Sequence, residues 1–282
     1  MQPKKIAILF HERDTLRRVS RYVLHGLAEH WKSDGHEVDY LFGTKEFRAA
    51  DLILIHVDLS IVPDSYLAFA QRYPIVLNGK IRDIRKSTYS KQLLHKGDSY
   101  EGPVFVKSDL NFSGGPERNF NPSVKQLFSD IASRFSNKPK MRKVADYRVF
   151  NNLSEVPEAY FSMTDVVIEK FLPEMDNGRF VVRNYQFLGD RGTATKVIGS
   201  SPMVKSRTEI ESIEIEPDPE IVAIRHAMNF DYGKFDYVLR DGKVVLFDAN
   251  KTTGSHTKGI SPQLQAMRKY RAEGLYWYFK NR

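Results

Sequence analysis

The sequence predicts two fold classes in series, a small α/β domain followed by a larger α+β region. The chain of 282 residues is long enough for one large or two modest domains, each with its own core. Over about the first 80 residues, short apolar runs alternate with amphipathic stretches, which predicts parallel strands joined by helices. After that point strands follow one another more directly, which is typical of an α+β arrangement.

The N-terminal region contains four predicted strands and two predicted helices. The predicted strands are residues 4–10, 36–42, 52–57 and 74–78, and the predicted helices are residues 15–31 and 63–71. Continuous apolar runs such as LILIHV are typical of parallel strands that are buried on both faces. No G-x-G-x-x-G follows the first strand, so this domain is not predicted to bind a dinucleotide.

The rest of the chain contains predicted elements of both kinds. They are a basic helical segment at residues 84–94, strands at 103–108, 166–171, 179–187 and 193–197, and helices at 123–135, 218–228 and 262–279. Asp218 precedes a proline and is the predicted N-cap of its helix. We find no internal repeat and no low-complexity segment.

Composition excludes several function classes. The absence of cysteine excludes disulfides, thiolate metal sites and a cysteine nucleophile. No apolar run approaches the roughly 20 residues of a membrane span, so we expect a cytoplasmic protein with no membrane contact. The net charge of +8 comes from lysines and arginines that are scattered among acids, which favours small anionic ligands over specific nucleic-acid binding.

Residues 230–254 predict a hairpin with unusual polar positions, FDYGKFDYVLRDGKVVLFDANKTTG. Side chains alternate between the two faces of a strand, and the odd-numbered strand positions here are apolar or aromatic. Asp236, Asp248 and Asn250 occupy even-numbered positions. An edge hairpin with one solvated face is the alternative, but a solvated face is usually of mixed composition. Carboxylate and amide oxygens without histidine or cysteine suit Mg²⁺ together with substrate phosphates.

The loop between the two strands determines whether the carboxylates meet. A two-residue turn puts the two aspartates on opposite faces, whereas a three-residue loop at residues 240–242 puts them on the same face. We therefore predict the three-residue loop, with Gly242 in the left-handed conformation. In this register Lys234 faces Asp248, and Asp236 lies one diagonal step away, within reach of a shared cation.

Earlier segments carry residue types that suit a nucleotide. Lys107 ends an apolar strand and precedes Ser113, Gly114 and Gly115, where a lysine and a glycine loop suit phosphates. An ordinary turn is the alternative, because glycine pairs often mark turns. Residues 166–174, VVIEKFLPE, can offer backbone groups and a carboxylate to adenine, or can be a simple strand end.

The order of these motifs resembles the ATP-grasp superfamily, which includes D-alanine–D-alanine ligase, glutathione synthetase and ribosomal-protein glutamate ligases. The resemblance covers about residues 80–260 and ends in the pattern D-x₁₁-[DE]-x-N. It implies an N-terminal α/β domain at residues 1–80 of the type that precedes the ATP-grasp fold. It implies an ATP-grasp domain at 81–282, with a lid-like part at about 95–165 and a C-terminal part at 166–282.

The resemblance implies roles for individual residues. It implies magnesium ligands at Asp236, Asp248 and Asn250, and catalytic cations at Lys234 and Arg183. The implied contacts to ATP are Lys91, Lys107, Ser113, Gly114, Gly115, Glu169, Lys170, Phe171, Leu172, Glu174 and Lys196. Lys86 competes with Lys91 for the earlier phosphate contact, and Asp176 competes with Glu174 for the ribose.

Candidate substrate residues come from strand ends and from the segment after the hairpin. His56 and Asp58 follow a predicted parallel strand, where ligands of open α/β sheets collect, and Arg13 follows the first strand. Ser255 and His256 follow the hairpin. An ordinary surface or turn role is an open alternative for each of these five residues.

The resemblance implies a magnesium-dependent ligase that joins a small-molecule or peptide carboxylate to an amine through an acyl phosphate and forms ADP. Two departures are present: Asp248 stands where the family commonly has glutamate, and Thr253 stands where it commonly has proline. A kinase acting on a hydroxyl and a nucleotide-binding protein without turnover are the alternatives. The sequence names neither substrate, and it leaves a homodimer open.

Overall fold

The computed structural model describes residues 2–120, 141–202, 208–254 and 261–281. Contacts divide the chain into two compact units. The first unit contains Met1–Asp58, Val62–Arg82 and Glu174–Arg282, and the second contains Leu59–Ile61 and Asp83–Pro173. The predicted helix at residues 123–135 lies outside the described residues.

A four-stranded parallel sheet opens the first unit, with strand order β2-β1-β3-β4. Its strands are β1 (Lys5–Phe10), β2 (Glu37–Phe42), β3 (Leu52–Ile55) and β4 (Val76–Leu77), and its helices are α1 (Leu16–Val19), α2 (Val23–Ser33) and α3 (Asp64–Ala70). All four residues of β3 are buried, as expected of a parallel strand covered on both faces. The predicted N-terminal α/β fold is confirmed.

The first helical region was predicted as one helix at residues 15–31, and this is wrong. The chain leaves the helical conformation between α1 and α2, where Tyr22 forms an antiparallel bridge with Gly254. The N–H of Val23 donates to the carbonyl of Thr253 over 2.9 Å. The segment that follows the hairpin therefore occupies the gap in the helix, a long-range contact that local periodicity does not reveal.

A six-stranded antiparallel sheet forms the rest of the first unit, in the order β11-β10-β9-β12-β13 with β8 beside β9. Its strands are β8 (Glu174–Asp176), β9 (Arg179–Leu188), β10 (Arg191–Gly199), β11 (Glu209–Ile215), β12 (Tyr232–Arg240) and β13 (Lys243–Asn250). The predicted N-cap is confirmed, because the Asp218 carboxylate accepts from the N–H of Glu220 over 2.8 Å.

Three helices of the later chain belong to this unit. They are α7 (Pro219–Ala227), α8 (Pro262–Glu273) and α9 (Tyr276–Lys280). The predicted single helix at 262–279 breaks at Gly274. A Cβ at that position would lie 1.9 Å from the carbonyl oxygen of Leu188, so the helix approaches a strand end too closely for a side chain.

The second unit contains a three-stranded antiparallel sheet in the order β6-β5-β7. Its elements are β5 (Val104–Ser108), β6 (Arg148–Phe150), β7 (Val166–Lys170), α4 (Lys86–Tyr89), α5 (Gly115–Phe120) and α6 (Glu158–Phe161). Its core contains the buried residues Leu94, Val104, Val106, Met141, Leu153, Val156, Tyr160 and Ile168.

The basic helix predicted at residues 84–94 is much shorter than expected. Only α4 is helical, because the following residues run beside β7. Leu93 forms an antiparallel bridge with Glu169, and the N–H of Leu94 donates to the carbonyl of Ile168 over 2.8 Å. The predicted order of an α/β domain and an α+β region is nevertheless confirmed. Within the described residues, no helix has the length and apolar character that a membrane crossing requires.

Candidate nucleotide and metal site

The turn of the hairpin differs from the prediction. Arg240 pairs with Lys243, so the loop between β12 and β13 has two residues. Asp241 and Gly242 both have positive φ, 52° and 75°, as a type I′ turn requires. Such a turn matches the right-handed twist of the two strands, and glycine adopts its second position without strain. The predicted three-residue loop is wrong.

A bulge in β13 places the two aspartates on the same face of the sheet, as the predicted three-residue loop would have done. Tyr237 pairs with Leu246 and Asp236 pairs with Asp248, which makes Phe247 the extra residue of the bulge. Beyond the bulge the alternation of β13 is shifted by one residue. The two aspartates therefore lie directly opposite each other on one face of the sheet.

The polar end of the hairpin contains two more groups of that face. Lys234 pairs with Asn250, rather than with Asp248 as predicted. The Nζ of Lys234 lies 2.9 Å from Oδ1 of Asp236, and their side chains are 24% and 28% exposed. The candidate metal ligands and one predicted catalytic cation are thus neighbours on adjacent strands.

This oxygen set fits a hard divalent cation. Directly opposite side chains in an antiparallel pair have Cβ atoms about 4.5–5.5 Å apart, and like charges there repel unless a cation lies between them. Within the described residues, no cluster of three or more His, Cys, Asp or Glu side chains could hold a metal ion. Two carboxylates and one amide leave coordination positions for water and phosphate oxygens, as Mg²⁺ usually does.

Strand β9 extends the same face with amide groups that sequence reasoning missed. Asn184 pairs with Asp236, and Gln186 pairs with Lys234. Residues that pair directly across antiparallel strands share a face. The signal in the sequence was the pair of amide residues two positions apart in β9, but only the pairing with β12 shows which face they extend.

Arg183, a predicted catalytic residue, lies on the other face of this sheet. It pairs with Tyr237 on one side and with Lys196 on the other. Its guanidinium binds the Glu174 carboxylate at 2.7 Å, and this hydrogen bonding raises the pKa of Arg183. The structure therefore does not bring Arg183 to Asp236, and its catalytic role remains a prediction.

Glu174 and Lys196 belong to the same cluster as Arg183. The second carboxylate oxygen of Glu174 accepts from the N–H of Leu239 over 2.8 Å. The Nζ of Lys196 lies 2.6 Å from Oδ2 of Asp176. Both cations thus have carboxylate partners in the first unit, and the assignment of Glu174 and Lys196 to ATP also remains a prediction.

In the second unit, the structure joins two residues that were predicted separately. The Nζ of Lys107 lies 2.7 Å from Oε2 of Glu169, and both side chains are buried, at 4% and 2% exposure. The other oxygen of Glu169, Oε1, is buried and has no hydrogen-bond partner among the described residues. This oxygen is therefore an acceptor that can take a hydrogen bond from a donor such as an amino group.

The two candidates for the earlier phosphate lysine have different environments. Lys91 is exposed, whereas Lys86 is 3% exposed on α4. The Nζ of Lys86 donates to the carbonyl of Leu110 over 3.3 Å, just before the segment that holds the predicted glycine loop. This environment favours Lys86 as the lysine associated with the loop.

The predicted glycine loop is a tight turn that leads into α5. Phe112, Ser113 and Gly114 all have positive φ, 45°, 56° and 69°. The Ser113 hydroxyl donates to the hydroxyl of Tyr147 over 3.2 Å, and the Ser113 carbonyl accepts from Arg118. Gly115 begins the helix. Two non-glycine residues in the left-handed region indicate a strained backbone, which is common at ligand-binding loops.

The predicted adenine linker continues from β7. The N–H of Lys170 donates to the carbonyl of Gln92, and the N–H of Phe171 donates to the carbonyl of Pro103, both over 2.8 Å. Phe171 and Leu172 are partly exposed. The linker thus has an ordered backbone and two apolar side chains that reach the surface of the second unit.

A hydrogen-bonded network connects Asn250 with the end of the parallel sheet. The amide oxygen of Asn250 accepts from the N–H of Thr252 over 2.7 Å, and the Thr252 hydroxyl donates to Asp58 over 2.6 Å. The hydroxyl of Tyr22 lies 3.2 Å from carboxylate oxygens of both Asp58 and Asp14. Thr252 therefore links Asn250, a candidate metal ligand, to Asp58, a candidate substrate residue.

Burial determines the charge states in this network. It raises the pKa of Tyr22, and the nearby carboxylates of Asp58 and Asp14 raise it further. It also raises the pKa of Asp14. His56 is completely buried, and burial lowers its pKa to about 3, so its ring is neutral at physiological pH.

The other substrate candidates are less informative. Arg13 is exposed near the end of β1. Its backbone N–H donates to Nδ1 of the His11 ring. Ser255 and His256 lie outside the described residues. Sequence reasoning missed Tyr22 and Thr252, whose contacts with Asp58 join parts of the chain separated by 36 and 194 positions.

No family model matches the sequence, and no curated protein matches it. Among solved structures, the chain is similar to a D-alanine–D-alanine ligase from Bacillus anthracis, at 11% identity and a TM-score of 0.48, over 98% of this chain and 96% of that one.

Two further solved structures are similar over nearly the full length. A RimK domain ATP-grasp protein from Sphaerobacter thermophilus DSM 20745 has 12% identity and a TM-score of 0.46, with 98% of each chain covered. The macrocyclase MdnC from Microcystis aeruginosa MRC, solved with its precursor peptide MdnA, has 9% identity and a TM-score of 0.48, with 96% of this chain and 99% of that one covered.

Proposed function

We propose that this protein is a magnesium-dependent ligase that uses ATP to join a carboxylate to an amine and forms ADP. The observation that carries the proposal is the direct pairing of Asp236 with Asp248 beside Lys234 and Asn250. In a hairpin whose polar face is only solvent-exposed, two directly opposite carboxylates are destabilising, because they repel. A bound cation with phosphate oxygens converts this repulsion into attraction.

The metal and the phosphates are assigned as follows. Asp236, Asp248 and Asn250 would hold Mg²⁺, which neutralises charge on the phosphates when it is bound. Lys86 and Lys107 would supply further positive charge to the phosphates. Such fixed charges stabilise phosphoryl transfer because charge spreads over the phosphate oxygens in the transition state.

The second unit offers groups that suit the adenine. The buried Oε1 of Glu169 lacks a hydrogen-bond partner among the described residues, and an adenine amino group is a donor of the right kind. The partly exposed Phe171 and Leu172 would contact the base. Lys170 follows Glu169 directly, so its backbone would lie along the same edge of the base.

The proposed reaction has two steps and needs no side-chain nucleophile. A carboxylate oxygen of the substrate attacks the γ-phosphorus of ATP, the bond to the ADP oxygen breaks, and an acyl phosphate results. The amine nitrogen then attacks the acyl carbon, phosphate leaves with the bonding electrons, and the amine loses a proton. Lys234 would stabilise the negative charge that develops on oxygen, since its Nζ lies on the metal face.

Thermal unfolding tests the metal and nucleotide part of the proposal. A ligand at 100 times its Kd stabilises the folded state by about 2.7 kcal/mol. We expect MgADP or MgATP to raise the Tm of the wild type and to have little effect on the double variant Asp236→Asn, Asp248→Asn. The matched control is Asp241→Asn, the same chemical change in the turn of the same hairpin, where asparagine tolerates positive φ.

The control variant should respond to MgADP as the wild type does. Absence of any magnesium-dependent nucleotide effect in the wild type would refute the proposal. Once nucleotide binding is established, hydroxylamine added with MgATP and a panel of carboxylates should yield a hydroxamate. A stable phosphate ester without hydroxamate would instead identify a kinase.

A further inference from the structure

The first unit contains a cluster of buried polar groups that the proposed nucleotide chemistry does not use. Its central members are Arg271 on α8, Tyr232 at the start of β12 and His56 after β3. Their exposed fractions are 2%, 3% and 0%. Each carries a buried nitrogen or oxygen that has no hydrogen-bond partner among the described residues. Such atoms are uncommon in folded proteins, because an unpaired buried polar group is costly.

Arg271 is the most informative of the three. Its Nη1 donates to Oγ1 of Thr193 over 2.5 Å, while its Nη2 has no partner. Within the part of the chain that the structure describes, no carboxylate lies within ion-pair distance of this guanidinium. Burial lowers the pKa of Arg271 to about 10, so the group still carries its charge at neutral pH. A buried cation without a counterion is among the most costly features a fold can contain.

Two more buried cations belong to the first unit. Arg268 precedes Arg271 by one helical turn and is 7% exposed. Its Nη1 lies 3.4 Å from where a Cβ on Gly26 would be, so it packs against α2 where that helix has no side chain. The two guanidinium groups repel each other, which helps to lower the pKa of Arg271. Lys251, directly after β13, has no exposed surface.

Tyr232 and His56 add neutral donors to these cations. The ring centroids of the two residues are 6.0 Å apart. Burial raises the pKa of Tyr232 and lowers that of His56, so the phenol keeps its proton and the imidazole carries one N–H. Tyr232 and Arg271 perturb each other's pKa, yet the Tyr232 hydroxyl and Arg271 Nη2 each lack a hydrogen-bond partner. A third group that accepts from both would satisfy both.

We propose that this cluster binds an anionic group, a carboxylate or a phosphate, with Arg271 Nη2 and the Tyr232 hydroxyl as its donors. Water could accept the same hydrogen bonds, but it would not compensate the buried charge of Arg271. Carboxylates and phosphates do both, and charge-assisted hydrogen bonds from a guanidinium are the strongest of their kind.

The position of the cluster indicates what the anion belongs to. His56 follows β3 at the carboxyl edge of the parallel sheet, where open α/β sheets bind ligands. Asp58, two residues later, is linked through Thr252 to the candidate metal ligand Asn250. If the proposed function holds, the anion is a recognition group of the substrate, and the substrate class is an acid or a phosphorylated compound.

The substitution Tyr232→Phe tests the anion site with little risk to the fold. It removes only a hydroxyl that has no partner, so the unliganded protein should be as stable as the wild type or more stable. Without nucleotide or magnesium, we expect inorganic phosphate or malonate to raise the Tm of the wild type. In Tyr232→Phe the apparent Kd for that anion should rise roughly tenfold, which corresponds to one lost hydrogen bond to an anion.

A second pair of variants tests the cation. Arg271→Lys keeps the charge and should retain part of the anion response, whereas Arg271→Met should abolish it even if the unliganded protein becomes more stable. A preference for phosphate over malonate would identify a phosphorylated substrate, and the reverse preference would identify a carboxylate. If neither anion stabilises the wild type, or if Tyr232→Phe responds as the wild type does, the anion site is refuted.

The same measurements separate this inference from the proposed function. The double variant Asp236→Asn, Asp248→Asn should keep its response to phosphate or malonate. Tyr232→Phe should keep its response to MgADP. An anion response without a nucleotide response would refute the ligase and leave the anion site in place, and the opposite result would refute the anion site alone.

Discussion

Two lysine–carboxylate pairs of this protein have nearly the same geometry but opposite environments. In the second unit, Lys107 and Glu169 are 2.7 Å apart, and 4% and 2% of their side chains are exposed. In the first unit, Lys234 and Asp236 are 2.9 Å apart, and 24% and 28% are exposed. The first pair is sealed from water, and the second remains open to it.

Burial decides which pair is fixed and which can exchange partners. A buried pair cannot separate without leaving an uncompensated charge in a poorly solvated place. A partly exposed pair contributes little, because water and salt compete with it. Asp236 also faces Asp248 across the hairpin, so a divalent cation could replace Lys234 as its main partner. The open pair is therefore the one that can exchange its partner for a metal ion.

Breaking the buried pair should have the largest effect. Lys107→Met leaves the Glu169 carboxylate buried without its cation, and we expect the free energy of unfolding to fall by about 3–5 kcal/mol. Urea denaturation followed by tryptophan fluorescence or circular dichroism measures this change. The double variant Lys107→Met, Glu169→Gln removes both charges and should recover much of the loss. Equal stability of the single variant and the wild type would show that the pair is not sealed.

The matched change in the open pair should have a smaller effect. Lys234→Met should alter the free energy of unfolding by no more than about 1 kcal/mol, because exposed pairs rarely contribute more. Raising the salt concentration should shrink this difference further, since the pair is partly solvated. The effect of Lys107→Met should be nearly insensitive to salt. Similar salt dependence in both variants would contradict the distinction between the pairs.

The smallest effect is expected at the second carboxylate of the open site. Without magnesium, Asp248→Asn should leave stability unchanged or raise it by about 0.2–1 kcal/mol, because it removes one of two like charges that face each other. With magnesium and ADP present, the same variant should become less stable than the wild type. This reversal is measured by melts with and without MgADP, and its absence would show that Asp248 does not take part in binding.

Much of the fold could be predicted from local patterns. The unbroken apolar runs of β1 and β3 predicted parallel strands buried on both faces, because such strands are covered by helices on both sides. The Asp218 N-cap was predictable because it needs only an acceptor next to the first turn of a helix. The failures arose where distant segments intervene, as at Tyr22, where the bridge to Gly254 divides a predicted helix.

The candidate site was predicted in part and for a partly incorrect reason. Alternation along the hairpin indicated that Asp236 and Asp248 share a face, and they do. A three-residue loop was predicted to bring them to one face, whereas the structure has a two-residue turn and a bulge at Phe247. Both devices shift the alternation by one residue, so the sequence pattern cannot distinguish them.

Local sequence specifies which side chains are available and which neighbours along one strand share a face, since alternation is a local property of an extended chain. Which strands lie side by side follows only from the complete fold. The pairing of β9 with β12 brings Asn184 to Asp236 and turns Arg183 to the opposite face. Folding likewise buries Arg271 near Tyr232, and Tyr232 near His56, although these residues lie far apart in the chain. Burial and long-range pairing depend on the whole fold, and they decide which of the available groups can act together.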